Sequence, residues 1–331
     1  MLTKPVTLDE FKTAMIERAK FYRDEMIFAD FLRMNPEDGS IIRAKPEGDG
    51  KFQQITHVMT KHGFSTLCQK LAIPTLYALR CPPELRATNF NFWLEKKKGK
   101  EFFVRFDSYP DGAEKIRAVL SDRYADLPNT ELASLLIERA NPDYAFTFSY
   151  ELHDAVLVGD LVASNKDFVS DDFSGAIHVR NSEVGLSKLS FQSMLYSKVD
   201  RSGVILQDQV GFDEKHIGDK SEFAKEFSAS IDKIMANISG AIRNLTDLKN
   251  ILVKDVPDMI DVICNVNQVK DSQREALSRA QSTVPSETLF DIVCLFIRAA
   301  TDSDLTLEER EGLQTVGGDI VMKAKRYQRW V

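Results

Sequence analysis

The sequence predicts an α+β fold, in which a largely antiparallel sheet domain with flanking helices is followed by an all-α C-terminal domain. Between positions 90 and 206, short segments rich in aromatic and β-branched residues recur, and the stretch 144–162 alternates apolar and polar residues, which is typical of antiparallel strands. From position 221 onward the apolar residues recur every three or four positions, which is typical of helices. A chain of 331 residues is long enough for about two domains. We expect an N-terminal helix and loop at 1–50, an α+β domain at 51–215 and a helical domain at 220–331.

The N-terminal segment is predicted to form one helix over residues 7–34. Thr7 and Glu10 have the spacing of a capping box, in which each side chain bonds the backbone N–H of the other residue. Apolar residues then follow at spacings of three and four as far as Met26, which indicates one buried helix face. The stretch 44–51 is rich in Gly, Pro and charged residues and predicts a loop. Short helices are expected at 65–71 and 75–80 and in the stretch that ends near Asn89.

A β-hairpin is predicted between positions 90 and 106. Residues 90–94 and 101–106 are rich in aromatic and β-branched side chains, and the polar segment 95–100 between them contains a glycine. The hairpin tip would carry four lysines, with one arginine on the returning strand: Lys96, Lys97, Lys98, Lys100 and Arg105. Further strands are expected at 116–120, 144–162, 176–180, 189–196 and 204–206, and a helix capped by Asn129 at 130–140.

The C-terminal third is predicted to be helical. Its first helix carries apolar residues at alternating spacings of four and three from Phe227 to Leu248, which is a heptad-like stripe. Such a stripe either mediates self-association through residues 224–248 or packs inside the helical domain. Thr306 and Glu309 have the spacing of a second capping box. Further helices are expected at 256–266, at 268–282 with Asn267 as its cap, at 286–300 and from Thr306 to Tyr327.

Composition restricts the classes of function. The chain holds 43 basic and 50 acidic residues, for a net charge of −7, so a nucleic-acid site would have to be a local basic patch. The four cysteines form no C-x-x-C pair, which predicts free thiols and no zinc site. We find no signal-peptide pattern and no apolar stretch long enough to span a bilayer, so we expect a cytoplasmic protein. The fingerprints of nucleotide binding, zinc proteases and serine hydrolases are absent, and we expect neither a metal nor a cofactor.

Two basic sets are candidates for binding nucleic acid. The first is the lysine-rich hairpin tip, where nearby aromatic rings could stack on bases; alternatively, the rings are core and the lysines protect a solvated sheet edge. The second is a group of basic residues on separate β segments that one sheet could bring to an open face, where guanidinium groups would bind phosphates. It consists of Arg117, Arg123, Arg180, Lys188, Lys198 and Arg201. Alternatively, these arginines pair with Asp122 and Glu183 inside the protein. The complete predicted site is Lys96, Lys97, Lys98, Lys100, Arg105, Arg117, Arg123, Tyr124, Arg180, Asn181 and Lys188.

Three sequence blocks carry a resemblance to a known family. The first runs from Leu71-Ala-Ile-Pro74 to Asn91-Phe-Trp-Leu94, the second is Ser121-Asp-Arg-Tyr124, and the third is Arg180-Asn-Ser-Glu-Val-Gly185. In this order they resemble the phage- and plasmid-related family called domain of unknown function 932, over residues 60–205. The family often continues with a Cys-Thr/Ser-Asn-Gly step, where this chain has Val199-Asp-Arg-Ser-Gly203. The resemblance implies a mobile-element or viral origin and a cytoplasmic setting.

These observations lead to three functional hypotheses. The first is a nucleic-acid-binding protein of a phage or mobile element, with single-stranded DNA as its partner, acting in recombination or replication without catalysis. The second is an interaction protein that binds a host or viral protein, which the acidic net charge favours. The third is an enzyme that acts on nucleic acid or nucleotide, with Glu183, Ser121 or Asp122 as the acid–base group.

Overall fold

Two β-sheets and the helices packed on them form the structure, which confirms the predicted α+β class and the helical C-terminal region. The computed structural model describes residues 4–108, 113–124, 127–140, 142–153, 155–206, 212–214, 220–282 and 287–327. The first half contains α1 (Leu8–Ala19), β1 (Tyr22–Phe28), β2 (Leu32–Met34), β3 (Ile41–Gly48), β4 (Lys51–Met59), α2 (Lys61–Leu71), α3 (Thr75–Arg80), α4 (Pro83–Lys96), β5 (Glu101–Ser108), β6 (Glu114–Ser121) and α5 (Asn129–Arg139). The second half contains β7 (Thr147–Leu152), β8 (Leu157–Val162), β9 (Phe173–Asn181), β10 (Leu189–Ser197), β11 (Ser202–Ile205), β12 (Phe212–Glu214), α6 (Lys220–Asp247), α7 (Val256–Val266), α8 (Asp271–Gln281), α9 (Leu289–Ala299), α10 (Leu307–Met322) and α11 (Ala324–Tyr327).

The first sheet has the strand order β1-β5-β6-β4-β3-β2. Its described pairings are antiparallel, apart from the parallel pairing of β4 with β6. Helices α2 and α4 pack on this sheet and share its core, which includes Leu67, Phe90 and Val104. Gly63 lets α2 approach β6 closely, because a Cβ at this position would collide with the carbonyl oxygen of Ile116.

The predicted helix over 7–34 is wrong beyond Ala19. The capping box forms as expected, but the chain then enters β1, which pairs along its whole length with β5. Pairing with a strand that is distant in sequence therefore overrides the local helical spacing. The predicted loop at 44–51 is also wrong, because β3 and β4 form a hairpin there. Its turn is Asp49-Gly50, and both residues have the positive φ that a tight hairpin turn requires.

The predicted hairpin at 90–106 is wrong, because its first segment belongs to helix α4. Phe90 and Leu94 lie one helical turn apart, and both are buried in the core of the first sheet. The Asn91 side chain accepts a hydrogen bond from the Met34 N–H at 2.7 Å and donates one to the Met34 carbonyl oxygen at 3.0 Å. These contacts fix α4 beside the edge strand β2, so the helical spacing of the buried residues outweighs the β propensity of the aromatic ones.

The second sheet has the strand order β11-β10-β9-β8-β7, and β12 also pairs with β10. Its described pairings are antiparallel, as predicted. Helix α6 packs on this sheet, and one continuous core extends from the sheet through the C-terminal helices. The predicted apolar stripe is buried in this core: Phe227, Ile231, Ile234, Ile238, Ala241, Leu245 and Leu248. Packing within the chain accounts for the stripe, so none of these seven side chains is exposed to support self-association through 224–248.

Two predicted helix caps are wrong, whereas the capping box at Thr306 is confirmed. Asn267 follows the end of α7, and α8 begins only after Lys270. Asn129 is the first residue of α5, after Pro128. Both helices nonetheless form at the predicted positions in the chain.

Candidate nucleic-acid interface

Two of the predicted phosphate-binding arginines are buried inside the protein. The guanidinium group of Arg105 donates to both carboxylate oxygens of Asp24, at 2.9 and 2.8 Å. It also donates to the backbone carbonyl oxygen of Glu183. Arg117 donates to the Glu183 carboxylate at 2.8 Å and stacks over the Tyr22 ring, with 3.8 Å between the guanidinium carbon and the ring centroid. Neither guanidinium group is presented to solvent.

Glu183 is the centre of this buried group. Its second carboxylate oxygen accepts a hydrogen bond from the Asn129 backbone N–H at 2.8 Å. Because Arg105 and Arg117 lie on β5 and β6 while Glu183 follows β9, these contacts connect the first sheet to the second. We call Asp24, Arg105, Arg117, Asn129 and Glu183 the Glu183 junction. A buried charge is costly unless it is paired, so the buried guanidinium groups of Arg105 and Arg117 require the carboxylates of Asp24 and Glu183 beside them.

Tyr124 and Asn181 serve the same connection between the sheets. The Tyr124 hydroxyl donates to the Ser182 carbonyl oxygen at 2.9 Å, and its ring stacks on Phe103. The Asn181 side-chain amide is fully buried and donates to the Leu127 carbonyl oxygen and to the Asn129 side chain. The blocks 121–124 and 180–185 thus meet in space, where Tyr124, Asn181 and Glu183 bond to other parts of the protein.

The predicted open face of basic residues is wrong. Arg117 belongs to the first sheet and Arg180 to the second, so no single sheet carries both. Arg180 donates a hydrogen bond to the Glu311 carboxylate, and its Nη2 lies 3.6 Å from Glu308 Oε1. The alternative weighed from the sequence, pairing with Glu183, is confirmed for Arg117. The other four cations of this set are exposed, and each lies in a connection after a strand: Arg123, Lys188, Lys198 and Arg201.

The four predicted lysines lie at the C-terminal end of α4 and in the turn to β5, rather than at a hairpin tip. Lys96, Lys98 and Lys100 are exposed, and Lys97 is half-buried. No carboxylate of the described residues lies within salt-bridge distance of these four side chains. Cations at a helix C-terminus interact favourably with the partial negative charge of the last carbonyl groups. This cluster is therefore a local positive patch on an acidic protein.

A set of exposed apolar side chains on α3 and α4 precedes these lysines in the chain, and it was not predicted from the sequence. We call it the α3–α4 face, and it consists of Leu76, Tyr77, Leu79, Leu85, Phe92 and Trp93. Phe92 and Trp93 are 51% and 42% exposed, and their ring centroids lie 5.3 Å apart. The Lys96 ammonium lies 5.4 Å from the Phe92 ring centroid. The Tyr77 hydroxyl accepts a hydrogen bond from Asn89 at 3.1 Å, which joins α3 to the same surface.

The signal for this face was present in the sequence. Positions 85, 89, 92, 93 and 96 recur at helical spacing and are opposite the buried positions of α4. A helix with apolar residues on both faces indicates either complete burial or an exposed binding surface. Interpreting the aromatic residues as a strand concealed this pattern.

Comparisons of the chain with protein-family models, with curated proteins and with solved structures find no match. The resemblance to the phage- and plasmid-related family therefore stays a prediction. Across the described residues, no group of three or more His, Cys, Asp or Glu side chains is placed to hold a metal ion. In the same part of the chain, no helix combines the length and the apolar character needed to cross a bilayer.

Proposed function

We propose that the protein binds single-stranded DNA through the α3–α4 face and the adjoining lysines. The observation that carries this proposal is the exposure of Phe92 and Trp93 beside lysines that lack an acidic partner among the described residues. The family resemblance adds the setting, which is recombination or replication in a phage or mobile element. The proposal involves no catalytic step.

The chemistry of the face fits an unpaired strand. Exposed aromatic rings stack on bases of any sequence, which contributes roughly 1–3 kcal/mol per base. Base faces are accessible in a single strand but covered in a duplex. Lysine ammonium groups at Lys96, Lys98 and Lys100 would hold the phosphates, so the affinity should fall as salt rises. Because the net charge is −7, nucleic acid is expected to bind at a local positive patch, and this cluster is one.

The proposal is tested by fluorescence anisotropy with a labelled oligothymidine at two salt concentrations. We expect Trp93→Ala and Phe92→Ala each to weaken binding about tenfold, which corresponds to the loss of one stacked base. Phe52→Ala is the matched control, because Phe52 is 52% exposed but lies on β4. Replacing Lys96, Lys98 and Lys100 by alanine should reduce the salt dependence. Absence of binding at low salt, or equal losses in the Phe52 variant, would reject the proposal.

A protein partner is the second candidate function, and the leucines of the α3–α4 face favour it. Leu76 is 73% exposed, and Leu79 and Leu85 are also exposed. Because leucine does not stack on bases, DNA binding does not account for their exposure. Contiguous exposed apolar residues often mark a protein interface. Capture from a host lysate after nuclease treatment separates the two functions. This candidate is supported if a host protein stays bound after nuclease treatment and is no longer captured by the Leu76→Ser and Leu79→Ser variants. The Phe52→Ala variant should still capture it.

A further inference from the structure

A cleft of about 530 Å³ lies between the second sheet and helix α10, away from the α3–α4 face. Its volume lies in the range that encloses a small organic molecule. Residues from five strands line it on the sheet side, and α10 lines it on the other side. The sheet contributes mostly polar side chains, among them Ser149, Asp160, His178, Tyr196 and Ser202.

Close packing of α10 against the sheet fixes the shape of the cleft. A Cβ at Gly318 would collide with the carbonyl oxygen of Ile205, so only glycine allows the helix to lie this close to β11. Nearer the start of α10, the Gln314 amide donates to the Ser202 hydroxyl at 3.1 Å. The two sides of the cleft, helix α10 and the second sheet, are thus held together by contacts within the chain.

His178 holds the floor of the cleft to the helix. Its Nδ1 lies 2.7 Å from Asp160 Oδ1, and its Nε2 lies 3.2 Å from Glu311 Oε1. Since both ring nitrogens are engaged, this histidine has no free position for proton transfer to a ligand. His178 therefore has a structural role in the cleft, in which it holds β8 and α10 together.

The carboxylates that line the cleft are already paired within the chain. Asp160 and Glu311 both contact His178. The other two pair with arginines: Glu151 with Arg310 at 3.1 Å, and Asp200 with Arg298 at 3.0 Å. A cation entering the cleft would have to compete with these partners.

Cationic groups of the lining, in contrast, remain available. The side chains of Lys4 and Arg201 line the mouth and are exposed, and neither forms a hydrogen bond or salt bridge with any described residue. The Nε of Arg310 is buried and lacks a hydrogen-bond partner among the described atoms. This Nε has almost no solvent-accessible surface, so the cations of the lining that a ligand can reach are Lys4 and Arg201.

We propose that this cleft binds a small phosphate ester that carries hydroxyl groups, of the sugar phosphate or nucleoside monophosphate class. Arg201 and Lys4 would hold the phosphate at the mouth, since arginine matches phosphate geometry with two parallel hydrogen bonds. The hydroxyls of Ser149 and Ser202 can exchange hydrogen bonds with a sugar deeper in the cleft. This binding is independent of the proposed DNA surface on α3 and α4.

Isothermal titration calorimetry tests the cleft with ribose 5-phosphate, thymidine monophosphate and inorganic phosphate. Arg201→Asn is the informative variant, because Arg201 has a left-handed backbone (φ +52°) that asparagine tolerates. Arg33→Asn is the matched control, since Arg33 is exposed on β2 in the first sheet. We expect at least one ester to bind, and the Arg201 and Lys4→Ala variants to bind it about tenfold more weakly.

Thermal unfolding of each variant confirms that it is folded before titration. An unchanged affinity in the Arg33 variant, together with weaker binding in the two cleft variants, supports the proposal. The proposal is overturned if none of the three phosphate compounds gives a heat of binding, or if the Arg33 variant loses as much affinity as the cleft variants. Inorganic phosphate binding as tightly as the esters also overturns it, because the hydroxyl contacts would then contribute nothing.

Discussion

The two sheets each bury a histidine, and they do so in opposite ways. His57 on β4 lies in the first sheet beside the Phe106 ring, and neither of its ring nitrogens has a hydrogen-bond partner among the described atoms. His178 on β9 lies in the second sheet between Asp160 and Glu311. Both are almost fully buried. The comparison shows that the partners of a buried imidazole, rather than its burial, determine whether it carries charge.

The pKa values follow this difference. Burial lowers the pKa of His57 below 6.5, and the nearby Glu114 carboxylate, 3.9 Å away, only partly opposes this effect. Burial alone would also lower the pKa of His178, but its hydrogen bonds to Asp160 and Glu311 raise it to about 9. His57 is thus neutral and His178 is charged at neutral pH. The two sheets should therefore respond to pH in opposite directions.

The largest effect is expected from breaking the Glu183 junction, which joins the two sheets. Glu183→Gln leaves the Arg117 guanidinium buried without a counter-charge, which should cost about 3–5 kcal/mol of the free energy of unfolding. Urea denaturation measures this cost. Glu95→Gln, on the exposed side of α4, should change stability by less than about 0.5 kcal/mol. Adding Arg117→Met to the Glu183 variant should recover part of the loss, and a cost below about 1 kcal/mol for Glu183→Gln would contradict the assigned role.

A smaller effect is expected at His178. In the unfolded chain its proton is lost near pH 6.5, whereas the folded protein keeps it up to about pH 9. Its stabilising contribution, about 3 kcal/mol, is therefore complete below pH 6.5 and is lost as the pH rises through 9. His178→Gln should be less stable at pH 6 and lack this alkaline loss, as followed by urea denaturation across pH. His153→Gln, at an exposed histidine, should keep the wild-type alkaline slope; a slope retained by His178→Gln would contradict the argument.

The sequence predicted those parts of the fold whose signals are local. The capping box at Thr306, the spacing of α6 and the alternation that predicts a strand at β7 each involve neighbours in the chain, and all three elements form as predicted. The strand β1 and the helix α4 depend on contacts with distant segments. Tyr22 pairs with Asp107, and Asn91 bonds Met34, so neither contact could be derived from local spacing.

The same distinction between local signals and distant contacts decides which parts of the candidate site could be predicted. The lysines from Lys96 to Lys100 are a local cluster and remain exposed, as charged residues at a helix end normally do. The arginines were predicted to converge on an open face, but only Arg105 and Arg117 meet, and both face inward toward Glu183. Arg105 pairs with Asp24, which is 81 residues away, and no pattern in the sequence identifies such a partner.

The smallest effect, and the sharpest test of the comparison, is expected at His57. Because its folded pKa lies below 6.5, the unfolded chain binds the proton more tightly, and the protein should lose stability as the pH falls below 6.5. His57→Leu removes an unpaired buried polar group, which should stabilise the protein by about 1 kcal/mol at any pH. Because it also removes the titration, the gain should be larger at pH 5 than at pH 8. The two histidine variants are controls for each other in urea denaturation across pH. His57→Leu should abolish only the acidic slope and His178→Gln only the alkaline one, whereas loss of both slopes in either variant would show that the sheets do not titrate independently.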